Sequence, residues 1–264
     1  MFESVTPVIL TYNEAPNIAR TLDRLRWAKR IVVVDSYSND ETCAIVAGYP
    51  HAVLFQRRFD THANQWDYAV AETGIKTGWA LALDADYVLS DEFVEELRNL
   101  VPPADVAGYR ARFVYCIEGR PLRATVYTPV TVLFRRDRAR YMQDGHTQRI
   151  RVDGRIETLS NVIYHDDRKV LASWLEAQRR YALIDAEKLR SAQWKALRWT
   201  GKIRRLRVVA PFAMLFYCLF VKGLILDGRA GVFYSFQRVF AELLLSLYLL
   251  ERDLTQSTVS REKD

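Results

Sequence analysis

Three short apolar runs in the first third of the chain each end abruptly in polar side chains. Val5 to Thr11 stops at Tyr12-Asn13-Glu14, Ile31 to Val34 at Asp35-Ser36-Tyr37-Ser38-Asn39-Asp40, and Trp79 to Leu83 at Asp84-Ala85-Asp86. Apolar, β-branched runs without alternation read as strands buried on both faces, as in a parallel sheet. Helical spacing fills the gaps. Pro16 suits a first helical turn, after which Ile18, Leu22 and Leu25 share a face; Asn39 or Asp40 can cap a second helix through Val46. Ser90 caps a third, with Asp91 and Glu92 in its first turn, Phe93, Leu97 and Leu100 as its buried stripe, and Pro102-Pro103 as its stop. Strands alternating with helices predict an open α/β sheet, in which ligands bind outside the carboxyl ends of the strands. Glu14, Asp35, Asp84 and Asp86 are thereby expected to line one crevice.

Farther on, Val106 to Cys116, Thr131 to Phe134 and Thr158 to Tyr164 read as strands, the last closing on His165, and Asp166-Asp167-Arg168-Lys169 reads as the start of a long helix through Leu171, Trp174, Leu175 and Tyr181. Val208 to Val221 carries no charge and is interrupted by Pro211; Phe233 to Leu250 is mostly apolar but holds Arg238 and Glu242. Both are short or charged against the roughly 20 apolar residues that a membrane span requires. A shallow or re-entrant helical hairpin, or a helix pair lying on a bilayer, is expected, with packing on the catalytic core or at a dimer interface as the alternative.

Charge sharpens that expectation. Residues 1 to 187 hold 24 basic and 26 acidic side chains and residues 188 to 264 hold 14 and 6, so the net +6 resides in the tail. Between Glu187 and Asp227 there is no acid, and Trp194 to Arg207 mixes six cations with two tryptophans, a combination suited to anionic head groups and the bilayer interface. A nucleic-acid partner is not expected, because no RNA or DNA motif accompanies the basic stretch. With 264 residues, 50% of them hydrophobic, the chain is expected to form one α/β domain over 1–187 and a basic, apolar helical extension over 188–264. Cys43, Cys116 and Cys218 are odd in number and far apart, which suits packing roles in a reducing cytosol, and no secretory signal is visible at the start.

Carboxylates two apart at a strand end, as in Asp84-Ala85-Asp86, can hold a hard divalent cation with water and phosphate oxygens. A polar turn before the Ser90 cap is the plainer alternative. Together, Val8-Ile9-Leu10-Thr11-Tyr12-Asn13-Glu14, Ile31-Val32-Val33-Val34-Asp35-Ser36 and Leu81-Ala82-Leu83-Asp84-Ala85-Asp86 resemble the nucleotide-sugar half of glycosyltransferase family 2. The resemblance implies a GT-A fold, an α/β, Rossmann-like nucleotide-sugar-binding mixed sheet flanked by helices, here followed by a C-terminal helical, membrane-associating extension. The branch it resembles is that of lipopolysaccharide-core glucosyltransferases, which also carry a Lys-Gly-x-x-x-Asp-Gly segment, here Lys222 to Gly228.

Carried over by residue, the resemblance implies that Thr11, Asn13 and Glu14 border the nucleoside, that Asp35 meets the base edge, and that Asp86, with Asp84 nearer the ribose, holds Mg2+ or Mn2+ on the diphosphate. It also implies that His165 completes the metal shell, with helix capping or donation to the pyrophosphate as its alternatives. Helix capping for Glu14 and an Asx turn for Asp35 are the alternatives. Arg168 or Lys169 can neutralise the departing diphosphate. Gln65 can touch the sugar or nucleotide or simply sit on a helix surface, and Asp67 and Tyr87 depart from the family pattern. Thr147 stands where related enzymes place a catalytic carboxylate, so Asp144 and then His146 are the candidate bases, against an alternative in which Asp144-Gly145 only makes a turn.

The expected activity is inverting transfer of a hexose from a nucleotide-diphosphate sugar, with a UDP-sugar as first guess. The expected acceptor is a lipid-linked or lipopolysaccharide-type glycan at the cytoplasmic face of the inner (plasma) membrane. Transfer to polyprenyl phosphate, or a catalytically idle nucleotide-binding membrane module, are the alternatives.

Overall fold

In the computed structural model the described residues are 1–145 and 147–261, the side chains of Thr147 and of 256–261 excepted; His146 lies outside them. The chain forms two compact units, one of residues 1–121 with 126–169, the other of residues 122–125 with 170 onward.

The first unit contains, in order, β1 (Val5–Thr11), α1 (Ile18–Asp23), β2 (Ile31–Asp35), α2 (Thr42–Ala47), β3 (Ala52–Gln56), α3 (His62–Ala71), β4 (Trp79–Asp84), β5 (Tyr87–Leu89), α4 (Asp91–Asn99), β6 (Val106–Ile117), β7 (Arg120–Pro121), β8 (Val130–Arg135), β9 (Ala139–Asp144), β10 (Thr147–Val152) and β11 (Arg155–His165). The main sheet runs β3-β2-β1-β4-β8-β6-β11-β5, with β7 paired to β6 and β9–β10 forming a separate hairpin. β3, β2, β1 and β4 are parallel, β8 and β5 run against their neighbours, and β6 and β11 are parallel to each other. This is the expected mixed sheet flanked by helices.

Alternate residues of the unbroken apolar runs serve opposite faces. Ile9, Val33, Leu81 and Leu83 pack with Ile18, Leu22, Phe93 and Leu97 of α1 and α4. Val8, Val32, Val34, Ala80 and Ala82 pack with Trp66 and Ala69 of α3. A strand covered on both sides has no solvent face to carry polar residues, so the alternation typical of half-exposed strands is missing. The register pairs Thr11 with Asp35 and Leu10 with Asp84, which aligns the carboxyl ends of β1, β2 and β4. Ser90 caps α4 by accepting from Phe93 N at 3.0 Å, as its position predicts.

Local readings needed correction in three places. The long helix begins at Leu171 rather than at Asp166, because the carboxyls of 166 and 167 bind backbone and arginine donors and hold that stretch open. β3 and the β9–β10 hairpin were not anticipated. β3 is a short edge strand, and in β9–β10 polar and basic residues alternate with Ala139, Tyr141, Ile150 and Val152, which pack against the Trp66 side of the core.

The second unit holds α5 (Leu171–Ser191), α6 (Trp199–Arg205), α7 (Val209–Phe216), continued by a π-helical turn Tyr217–Val221, and α8 (Gly228–Arg261). The division falls before α5, earlier than the composition change at 187/188, because Ala182, Ala186 and Leu189 of α5 pack on Leu245 and Leu249 of α8. The Lys222–Gly228 motif forms a corner in this unit. Gly223 turns with φ +66°, and the Asp227 carboxylate accepts from Arg123 N at 3.0 Å and Arg123 Nε at 2.8 Å. Gly231 lets that corner approach α8, since a Cβ there would lie 1.8 Å from the Leu224 carbonyl oxygen.

Three of the six cations between Trp194 and Arg207 are used inside the unit. Arg204 makes a bidentate pair with the buried Glu242, Arg205 donates to the Arg190 and Ala192 carbonyls at the end of α5, and Arg207 pairs with Asp253. Lys195 and Arg198 are exposed and Lys202 half-buried. Phe212, Phe216 and Phe220 are 70%, 61% and 59% exposed, and on α8 Phe236 and Leu247 also face outward. The helix Leu224–Thr255 is long and apolar enough to cross a membrane by length and composition.

Candidate functional site

The carboxyl ends of β1 and β2 build the first half of the site. Asp35 is fully buried; its Oδ2 accepts from Ser38 N at 2.9 Å and Gln56 Nε2 at 3.2 Å, and its Oδ1 accepts from the Ser38 hydroxyl. The Asx-type turn and the crevice position are therefore one feature. Asn13 and Tyr37, both at positive φ, bend the two loops, and Asn13 locks them together: its N donates to Ser38 Oγ at 2.8 Å and its Oδ1 accepts from Asn39 N at 2.9 Å. Thr11 Oγ1 is buried without a hydrogen-bond partner among the described residues. Gln65 is fully buried on α3, which removes the surface-helix alternative; it donates to Ser36 Oγ at 3.1 Å and accepts from Arg57 Nη1 at 2.6 Å. Tyr12, which follows the register partner of Asp35, and Tyr37, two residues past Asp35, are exposed and were not singled out from the sequence.

The second half is a carboxylate cluster. After Asp84 the chain leaves β4, passes Ala85-Asp86 and joins the far edge of the sheet as β5, where Tyr87 pairs with His165 of β11. That path brings His165 Nε2 to 3.0 Å from Asp86 Oδ2. Glu14 accepts from Asn17 Nδ2 at 2.7 Å and pairs with Lys169. So Glu14, Asp84, Asp86, His165 and Lys169 come together. Arg168 instead pairs with Asp166. Asp144 stands at the tip of the β9–β10 hairpin rather than on the sheet edge, ion-paired to Arg149, and Gly145 turns there with φ +68°. Aromatic rings that sequence reasoning passed over surround His165: Tyr87, Tyr115 and Tyr127 lie 5.2, 4.7 and 5.0 Å from it between ring centroids. Only Tyr87 carried a signal, as a departure from the family pattern.

Burial, then the Asp86 carboxylate, push Asp84 up to about 6. The same two causes push Glu14 up to about 8, against the pull of Lys169. Burial would also raise Asp86, but His165 holds it below the usual carboxylate range; burial would lower His165, but Asp86 raises it. Raised carboxyls bind protons more tightly in the folded than in the unfolded state, so their stabilisation is present at low pH and is lost as pH climbs through the folded values. A raised imidazole acts in the same direction. The ligand-free protein is therefore expected to melt at progressively lower temperature from about pH 4.5 to pH 8, and a melting temperature that rises across this range would refute the clustering.

The donor chemistry of Asp84 and Asp86 fits a hard cation. Among the described residues no group of three His, Cys, Asp or Glu side chains could hold a metal ion as placed. His165 turns Nε2 to Asp86 and keeps Nδ1 buried without a partner among the described residues. The residues fit a two-carboxylate site completed by ligand oxygens better than a closed three-residue cage.

The family pattern described as "Glycosyl transferase family 2" matches residues 6–157. An "Uncharacterized glycosyltransferase" of Rickettsia bellii is 24% identical over 278 residues, spanning 99% of this chain and 91% of that protein. Another, of Rickettsia felis, is 32% identical over 99 residues, 37% of this chain and 34% of its own length. The crystal structure of S. aureus TarS 1-349 in complex with UDP-GlcNAc aligns over 90% of both chains at 14% identity, with a TM-score of 0.47.

Proposed function

The chain belongs to glycosyl transferase family 2 and has the GT-A type of mixed sheet, and from that premise we propose that it moves a hexose, with inversion, from a UDP-sugar to a lipid-linked or lipopolysaccharide-type glycan. One observation carries the donor half of this reading: Asp35 and Asp84 end strands aligned through β1 at the same edge of the sheet, and Asp86 follows in the turn just past Asp84. Asp35 is placed to accept from a uracil N–H or a ribose hydroxyl, which an apolar residue would leave unpaired. Tyr12, with Thr11 and Asn13, borders the same space, and Gln65 supports its floor through Ser36.

Asp84 and Asp86 would hold Mg2+ or Mn2+, which neutralises charge on the departing diphosphate when bound. Lys169, kept in place by Glu14, adds a fixed positive charge to that cluster. Asp144, paired with Arg149, is the proposed acceptor of the proton from the attacking hydroxyl. The experiment is a thermal-shift screen of nucleotide sugars with each metal, followed by radiolabelled transfer into membrane extracts. A ligand bound only by the native form raises its melting temperature, and because the site carboxyls must be ionised to take a cation, UDP with Mn2+ should stabilise more at pH 8 than at pH 6. Failure of every nucleotide to stabilise the protein would sink the donor assignment.

The membrane half rests on the outward phenylalanines of α7 and its π-helical turn, with Lys195, Arg198, Lys222 and Arg229 available to anionic head groups. In this reading the protein lies on the cytoplasmic face of the inner membrane, peripherally or shallowly inserted. Changing Phe212, Phe216 and Phe220 together to Ser is expected to lower partitioning onto anionic liposomes at least tenfold in co-sedimentation, since each buried ring is worth about 1.5–3 kcal/mol. Unchanged partitioning would redirect the apolar face toward a protein partner.

A further inference from the structure

A cavity of ≈ 520 Å3 opens within the first unit between α1, β5, β11 and the end of β6, and none of Asp35, Gln65, Asp84 or Asp86 lines it. Its wall includes three arginines, Arg20, Arg24 and Arg168, with Asp166 among them. Asp166 is the shared partner of two. Its Oδ2 accepts from Arg20 Nη1 at 2.5 Å and from Arg168 Nε and Nη2 at 3.1 and 2.9 Å, while its Oδ1 accepts from Gly119 N at 3.1 Å. Arg24 is balanced separately by Asp91, and Asp23, another wall residue, by Arg26.

One carboxylate thus serves two guanidiniums on the cavity wall, and Glu118, off the wall, is the next acid that acts on Arg168. Both forks are already set. Arg20 is fixed further by Asn17 Oδ1 at 2.7 Å and the Asp166 carbonyl at 2.8 Å. Arg168 spends Nε and Nη2 on Asp166, is 40% exposed, and among the described residues nothing accepts from its Nη1. A planar fork held in advance loses little freedom on binding and matches the oxygens of phosphate. The volume is that of a small-molecule site, more than a bare ion occupies.

We propose that this cavity is an anion subsite, separate from the donor crevice, in which Arg20 and Arg168 receive a phosphate group carried by a sugar of the acceptor. The acceptor assignment rests on the transferase reading; the anion subsite itself does not.

The test titrates inorganic phosphate and glucose 6-phosphate into the full chain at constant ionic strength, by calorimetry, with and without saturating UDP and Mn2+. Saturable binding that persists with UDP present is expected, with glucose 6-phosphate tighter than phosphate. Arg168→Gln should weaken it roughly tenfold or more, the loss of one charge-assisted contact, and Arg168→Lys should restore part of it. Circular dichroism of each variant controls for folding. Displacement by UDP, or wild-type affinity in Arg168→Gln, would overturn the subsite. Equal affinity for the two probes would overturn its assignment to a phosphorylated acceptor. Should UDP itself not bind, the donor reading falls while the phosphate titration still decides this one.

Discussion

Asp86→Asn is expected to slow sugar transfer by at least about a hundredfold at saturating donor while the protein still unfolds in one cooperative melt. The amide keeps the shape of the carboxylate, so packing at the strand end is preserved, but it removes the charge that pairs with His165 and that would share a cation with Asp84. Preorganised charge at a departing group is commonly worth about 3–4 kcal/mol, or two to three orders of magnitude in rate. A second readout separates this from general damage. With Asp86 neutral, the imidazole of His165 loses the main partner that raises it, leaving only Asp84 and Asp167 against the burial that lowers it, so its titration should move to lower pH in an NMR series. Wild-type turnover by the variant would end the assignment of Asp84 and Asp86 to the diphosphate.

Arg204→Ala is expected to destabilise the helical unit strongly. Glu242 is 4% exposed and receives both arms of the Arg204 fork, while Arg204 itself is partly open to water. Removing the arginine leaves a buried carboxylate without its counter-charge, which costs about 3–5 kcal/mol at a fully buried pair. Discounted for the exposure of Arg204, about 2–3 kcal/mol is expected, or a fall of roughly 4–12 °C in melting temperature for a chain of this size. Changing both residues, Arg204→Met with Glu242→Leu, should recover most of the loss, because two apolar side chains leave no charge unpaired. A double variant as unstable as the single one would show that packing, not charge, is what Arg204 supplies.

The contrast between Arg204 and Lys195 explains much of what the sequence could and could not reveal. Both sit in one basic stretch, yet one is spent on Glu242, far along the chain, and the other is exposed. Composition reports charge, not its partner. The strands were legible for the opposite reason: Val32, Val33 and Val34 are apolar because both faces of β2 are covered, and that requirement is local enough to be written in consecutive residues. The carboxylates of the crevice were legible because a strand end is a fixed place in an α/β sheet. Arg168 was not: adjacent to Lys169, which meets Glu14, it turns to Asp166, and only the path of 166–169 outside any helix separates the two. Tyr115 and Tyr127 left no signal either, since an aromatic residue in or beside a strand looks the same whether it fills a core or rings a histidine.

The short stretch 122–125 has an evolutionary consequence. It belongs to the helical unit, where Arg123 is clasped by Asp227, yet both ends of it return to the other unit, to β7 directly on one side and through residues 126–129 to β8 on the other. The chain thus passes between the two units three times, after Pro121, Thr125 and Lys169, rather than once. A single recombination event at Lys169 would graft a foreign tail but orphan Arg123, so this architecture should be inherited whole, and hybrids between relatives should survive only when the loop and the tail travel from the same parent.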